Sequence, residues 1–193
     1  AKQMGIHQGV RSGSKVGDYF LGSLIGRGGA AEIYQAENMK TGDSGALKLL
    51  HTTLDENEAT VRRFHREASL AANVQHPNVV RIKGHGQTTD GLFFLFMERL
   101  NGEDLSSRLR NNPRMSVDSL ERLVTQVAQG LQAVHDAKIV HRDVQPRNLF
   151  WAQFSSQGCW KLLDFGIARQ MGTMTLTQEE VMGTPGYMSP EQA

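Results

Sequence analysis

The dominant hydrophobic period of this chain turns from strand-like to mainly helical after Asn101-Gly102, and that shift points to folds that segregate strands from helices. Before that point the apolar residues come in short runs. Residues 19–25, 31–37 and 44–50 read as strands, separated by the turn sequences GRGG at 26–29 and NMKTGD at 38–43. Residues 57–74 then place Val61, Phe64, Ala68, Ala71 and Ala72 three and four apart, the spacing of an amphipathic helix that ends before His76-Pro77-Asn78. VVRIKGHG (79–86) and GLFFLFME (91–98) add two strands, so the first half predicts an antiparallel sheet of about five strands with one helix inserted.

After the change the pattern is mainly helical. A short helical segment is expected at 103–111. Ser116 then caps a long helix with Leu120, Leu123, Val124, Val127, Leu131 and Val134 on one side. LFWAQ and CWKLLDF read as short strands around a Ser-Gln-Gly turn, and from Ala168 to Glu191 the chain is Thr-rich and without period, as functional loops are. Residues 1–17 have linker composition.

Charge selects no partner: 21 Lys and Arg against 20 Asp and Glu leave +1, with the signs interspersed, so neither nucleic acid nor a membrane surface is expected. The single Cys159 forms no internal disulfide and has no metal-ligating neighbours in sequence, which points to a half-buried thiol in a reducing compartment. No run reaches the 18 or more apolar residues of a membrane span. The chain opens on Ala and stops at SPEQA inside an ordered-looking stretch, the expectation for a fragment of a longer protein.

Individual motifs carry little. GRGGAA at 26–31 approximates a phosphate-cradling glycine loop, but it also describes an ordinary hairpin turn. A dinucleotide-binding loop is disfavoured, because no helix of useful length follows it. Lys48 within ALKLL reads alone as an edge-strand charge; with Glu67 in the next helix it reads as an anion-binding ammonium held by a carboxylate. The specific signal is HRDVQPRN at 141–148 followed by DFG at 164–166. Phosphoryl transfer needs a carboxylate to orient or deprotonate an attacking hydroxyl, and oxygen ligands for a divalent cation. Asp143, Asn148 and Asp164 are those residue types.

Taken together, I-G-R-G-G-A-A-E-I-Y, A-L-K, Glu67, H-P-N-V-V, M-E, H-R-D-V-Q-P-R-N, D-F-G and G-T-P-G-Y-M-S-P-E resemble the protein kinases, most of all the bacterial eukaryotic-like Ser/Thr protein kinases. The resemblance implies an α+β, two-lobe fold over residues 18–193. It divides into an N-lobe at about 18–98, a hinge at about 98–102 and an incomplete, mainly α C-lobe at 103–193.

It implies ATP with Mg²⁺ or Mn²⁺ as cofactors and a Ser/Thr protein substrate. The glycine loop (Gly26, Arg27, Gly28, Gly29, Ala30, Ala31) would cover the phosphates, and Ile25, Ile33, Ala46 and Met97 would surround the adenine. The backbone of Glu98 to Leu100 would bond the adenine edge, and Lys48 paired with Glu67 would hold the α- and β-phosphates. Asp143 would be the base, and Asn148 and Asp164 the metal ligands.

Residues 167–182 would be the activation loop. Thr173, Thr175 and Thr177 are its phosphosite candidates, Arg142 is its phosphate clamp, and Thr184 favours a Ser/Thr acceptor. Self-association for autophosphorylation and a cytoplasmic setting, free or as the cytosolic part of a membrane-anchored protein, belong to the same expectation.

The chain departs from the family pattern at three places. Gln145 stands where the family has Lys, which keeps an N–H donor and removes a charge; losing one such stabiliser is worth roughly 10²–10³ in rate. Ala31 adds a methyl to the phosphate loop, and Ser189 replaces Ala before Pro190-Glu191. The rest of the family's C-lobe is not in this sequence, so apolar faces of the long helix and of 139–165 are expected to be exposed. A silenced kinase acting as a nucleotide-binding or scaffolding module is the alternative from another class, and a small-molecule phosphotransferase is disfavoured by the G-T-P-G-Y-M-S-P-E segment.

Overall fold

The computed structural model describes residues 8–29, 31–51, 58–154, 157–164 and 187. They fall into two compact units. One combines residues up to 68 with 82–99, and the other combines 69–81 with the residues from 100 onward.

The first unit is an antiparallel sheet of strands β1 (Lys15–Val16), β2 (Tyr19–Arg27), β3 (Ala31–Asn38), β4 (Ser44–Leu50), β5 (Ile82–Gln87) and β6 (Phe93–Met97), in the order β1-β2-β3-β4-β6-β5. Side chains alternate across a strand, so each run divides between two faces. Val16, Leu21, Tyr34, Ala36, Leu47, Leu49, Phe94 and Phe96 form one buried cluster, with the Tyr19 ring edge-on to Phe94 and tilted against Phe96. Cross-strand partners share a face, and the pairs Gly26↔Ile33, Ile33↔Lys48, Lys48↔Leu95 and Ala46↔Met97 lie on the opposite one. Helix α1 (Glu58–Ala72) buries Phe64, Ala68 and Ala71, and the Phe64 ring sits 4.4 Å from that of Phe93.

Three expectations are corrected here. The sheet has six strands among the described residues, because Lys15–Val16 turn back at Gly17 (φ 55°) and pair with β2, which buries Val16. The stretch of linker composition is therefore tied to this unit from residue 11 and joins the sheet at 15–16: Arg11 pairs with Asp90 at 2.5 Å, and its backbone N–H donates to the Tyr34 hydroxyl at 3.4 Å. Strand β5 starts at Ile82 rather than 79, because Asn78 to Val80 belong elsewhere.

In the second unit, helices α2 (Leu105–Asn111) and α3 (Val117–Asp136) accompany a sheet of β7 (Gly102–Asp104), β8 (Leu149–Phe154) and β9 (Gln157–Leu162). The segment expected to be helical from 103 begins as strand β7, and Asp104 caps α2 by accepting from the Ser107 backbone N–H at 2.9 Å. Ser116 caps α3 as expected, accepting from Ser119 N–H at 3.3 Å.

The segment 78–80 runs along β9. Leu162 N–H donates to the Asn78 carbonyl at 2.8 Å, Val80 N–H donates to that of Leu162 at 2.9 Å, and the Asn78 side chain donates to the Trp160 carbonyl at 2.8 Å. Leu123 and Val134 of α3 are buried, whereas Val117, Leu120 and Val124 are 79%, 50% and 58% exposed. Val140 and Val144 are exposed as well, so the apolar faces expected to lie open do so.

Candidate active site

The strand register gathers one group of residues in the first unit. Ile33, Ala46, Lys48 and Met97 share the face of the sheet that also carries Leu95, and Gly26 is paired beside Ile33. Ala46 and Met97 are buried and Lys48 is half-buried, an ammonium set among apolar side chains on a central strand rather than on an edge. Glu67 lies half-buried on α1 and accepts from the Arg63 guanidinium at 3.2 Å. Ile25 is 45% exposed, and Glu98 follows β6 half-buried.

The glycine turn is closed at its base. Gly28 N–H donates to the Ala31 carbonyl at 2.8 Å, His51 Nδ1 lies 3.2 Å from the Gly29 carbonyl, and Arg27 pairs with Glu32 at 2.8 Å. The Tyr34 hydroxyl and the Arg27 guanidinium together hold the Glu32 carboxyl below the ordinary carboxylate range.

The second group forms within the other unit. His141, 1% exposed, donates from Nε2 to the Leu163 carbonyl at 2.9 Å, and its Nδ1 accepts from the Asp143 backbone N–H at 3.3 Å. Burial holds this imidazole below the ordinary histidine value, so the neutral Nε2–H tautomer satisfies both bonds. Both oxygens of the Asp143 carboxylate are occupied. Gln145 Nε2 donates to Oδ1, and Asn148 Nδ2 donates to Oδ2 at 2.8 Å and to the Asp143 carbonyl at 2.8 Å.

Gln145 and Asn148 are each 4% exposed, so these amides are fixed from behind. A short 3₁₀ turn, Pro146–Asn148, brings the amide of Asn148 back onto Asp143, and the Leu163 N–H donates to the Asn148 carbonyl at 2.8 Å. That bond ties the loop to the strand end that presents Asp164. Left-handed backbone at a non-glycine residue costs about 1–2 kcal/mol and collects at functional sites. Arg142 (φ 62°) and Asp164 (φ 53°) both adopt it here.

The donor set suits a hard divalent cation. Asn148 spends its amide hydrogens on Asp143, which leaves the carbonyl oxygen as the atom for a ligand, and Asp164 supplies a carboxylate. Leu100 lies half-buried in the same unit. Ala30, the rest of the DFG sequence, Thr173, Thr175, Thr177 and Thr184 lie outside the described residues.

Two participants escaped sequence reasoning: His141 is the buried post on which the Asp143 backbone rests, and Asn78 joins the 76–80 segment to β9. Gln145, expected to keep a donor in the catalytic loop, gives it to Asp143 itself. Only the polar Asn78 between Pro77 and two valines signalled its role in advance.

A family model described as protein kinase domain matches residues 19–193. The chain is 36% identical over 181 residues to serine/threonine-protein kinase pkn3 of Myxococcus xanthus, covering 91% of this chain and 33% of that protein. It is 40% identical over 173 residues to pkn2 of the same organism, covering 88% and 21%, and 37% identical over 183 residues to PknE of Mycobacterium tuberculosis, covering 94% and 32%. The chain thus spans about a third or less of these relatives. Among solved structures, the PknI kinase domain of Mycobacterium tuberculosis superposes with a TM-score of 0.73 at 27% identity, covering 82% of this chain and 64% of that one.

Proposed function

The chain belongs to the protein kinase family, and from that premise we propose that the protein transfers the γ-phosphoryl group of ATP to Ser or Thr hydroxyls of protein substrates. The observation that carries this reading is the Asp143 carboxylate, held at both oxygens by the buried amides of Gln145 and Asn148 and at its backbone by His141. An acceptor hydroxyl placed against Asp143 gives up its proton to the carboxylate as the hydroxyl oxygen bonds to phosphorus and the bond to the ADP oxygen breaks. A carboxylate immobilised by two amides meets that proton without reorganising, which is where positioning contributes to rate.

ATP bound with Mg²⁺ or Mn²⁺ supplies the phosphoryl group and the charge neutralisation that its departure requires. Asn148 and Asp164 would hold the cation, and Lys48, with Glu67 as its carboxylate partner, would hold the α- and β-phosphates. Ile25, Ile33, Ala46 and Met97 would line the adenine, with the backbone of Glu98 to Leu100 on its edge. The glycine turn, residues 26–31, would cover the phosphates once the closed contact of Gly28 opens.

Regulation by phosphorylation at Thr173, Thr175 or Thr177, gripped by the exposed Arg142, belongs to the same proposal, as do self-association for autophosphorylation, Thr184 at the acceptor site and a cytoplasmic setting. Among the described residues no helix is long and apolar enough to cross a membrane. The relatives are named as Ser/Thr protein kinases, which favours catalysis over a silenced binding module. The test is transfer of radiolabelled phosphate from ATP to a generic protein acceptor by the full-length protein. Wild type is expected to label the acceptor and Asp143→Asn is expected not to; equal labelling by both would sink the assignment.

A further inference from the structure

Helix α1 and strand β5 bring two imidazoles into contact on the face of the sheet opposite the Leu47, Leu49, Phe94 and Phe96 cluster. His65 Nδ1 and His85 Nδ1 are 3.3 Å apart. The rings lie 5.3 Å centroid to centroid at 51°, and their apolar surroundings are the rings of Phe64 and Phe93. Two imidazole nitrogens bound to one tetrahedral zinc at the usual Zn–N length stand about 3.3–3.4 Å apart, so the two nitrogens already have the bite of a chelate.

From this convergence we propose that His65 and His85 form a binding site for a divalent transition metal of the Zn²⁺, Ni²⁺ or Cu²⁺ type, separate from the hard-cation ligands Asn148 and Asp164. Both donors are imidazole, which selects this class over Mg²⁺ or Ca²⁺. Among the described residues no third His, Cys, Asp or Glu joins the pair, which leaves two protein ligands among them. A site with two protein ligands and an open remainder is exchangeable, suited to sensing metal rather than to holding it permanently.

The consequence is mechanical. His65 stands two residues before Glu67 on α1, and a metal shared with His85 ties that helix to β5 of the same unit.

The experiment uses the full-length protein, stripped with EDTA and returned to excess Mg²⁺, titrated calorimetrically with Zn²⁺ beside His65→Gln, His85→Gln and His65→Cys. Wild type is expected to take up one Zn²⁺ equivalent more than either Gln variant. Zn²⁺ is expected to raise the thermal midpoint of wild type by about 2–4 °C, and that shift should vanish in both Gln variants. His65→Cys, which replaces one ligand by another, should restore the lost equivalent, a rescue that a packing role would not show. Equal uptake by wild type and both Gln variants overturns the site. So does a loss that Cys fails to restore, because the imidazoles then serve only as a hydrogen-bonded pair.

Discussion

The Asp143 carboxylate accepts from two neutral amides, and the cost and benefit of that choice can be measured at Gln145. Removing the donor with Gln145→Ala releases Oδ1 and leaves a small cavity beside a 4%-exposed position. Small misplacements of a reacting group cost up to about 10². The expected result is kcat lowered by about 10–10² with KM for ATP changed little, read from steady-state kinetics. Gln145→Lys keeps a donor and adds a charge where charge develops, and is expected to raise kcat by up to about 10². If Lys lowers activity instead, the buried pocket is built for an amide and the added charge is not compensated there. The residue types at 143, 148 and 164 were legible because the chemistry demands them. The Gln145 bond was not, since a side chain two residues along a loop can point anywhere until the 3₁₀ turn at Pro146–Asn148 sets its direction.

At the scale of elements, the strands and helices followed their periods closely. β4 occupies Ser44–Leu50 and α1 occupies Glu58–Ala72, against expectations of 44–50 and 57–74. Period could not reveal what each element lies against. Gly130 in the middle of α3 is the clearest case: as a helix-interior glycine it costs about 1 kcal/mol relative to alanine, yet it is buried. A Cβ there would sit 2.7 Å from the Asn78 carbonyl oxygen and 2.8 Å from Leu162 Cδ1, so the glycine lets α3 approach the segment bonded to β9. Gly130→Ala is therefore expected to destabilise by about 1–3 kcal/mol, the helix gain being outweighed by overpacking against backbone; urea unfolding checks it. Removing the α3 cap with Ser116→Ala is expected to cost about 1 kcal/mol by the same measurement.

For the molecule as a whole, acid sensitivity follows from the buried His141 and the half-buried His85. Burial holds both His85 and His141 below the ordinary value of 6.5, so the unfolded chain binds more protons than the folded one in the interval beneath it. Stability is then fully present above pH about 6.5 and falls as pH drops through the lowered folded values. Asp90, held at about 2 by the Arg11 guanidinium and Thr88, contributes a separate loss between its ordinary 3.8 and that value. In metal-free buffer the denaturant midpoint is expected to decline from pH 7 to 5 in wild type and to decline less in His85→Gln. A flat profile over that range would mean that neither imidazole changes its proton occupancy on folding.

The chain's own order of residues determined the alternation of strands and helices, the cap at Ser116 and the residue types of a phosphoryl-transfer site, because hydrophobic period and chemical demand are both written locally. Tertiary structure alone decided that residues 15–16 join the sheet, that Asn78 to Val80 bond to β9, that Gln145 and Asn148 divide the oxygens of Asp143, and that His65 meets His85. Each of those is a contact between groups whose partner is chosen by three-dimensional proximity, and no spacing along the chain encodes it.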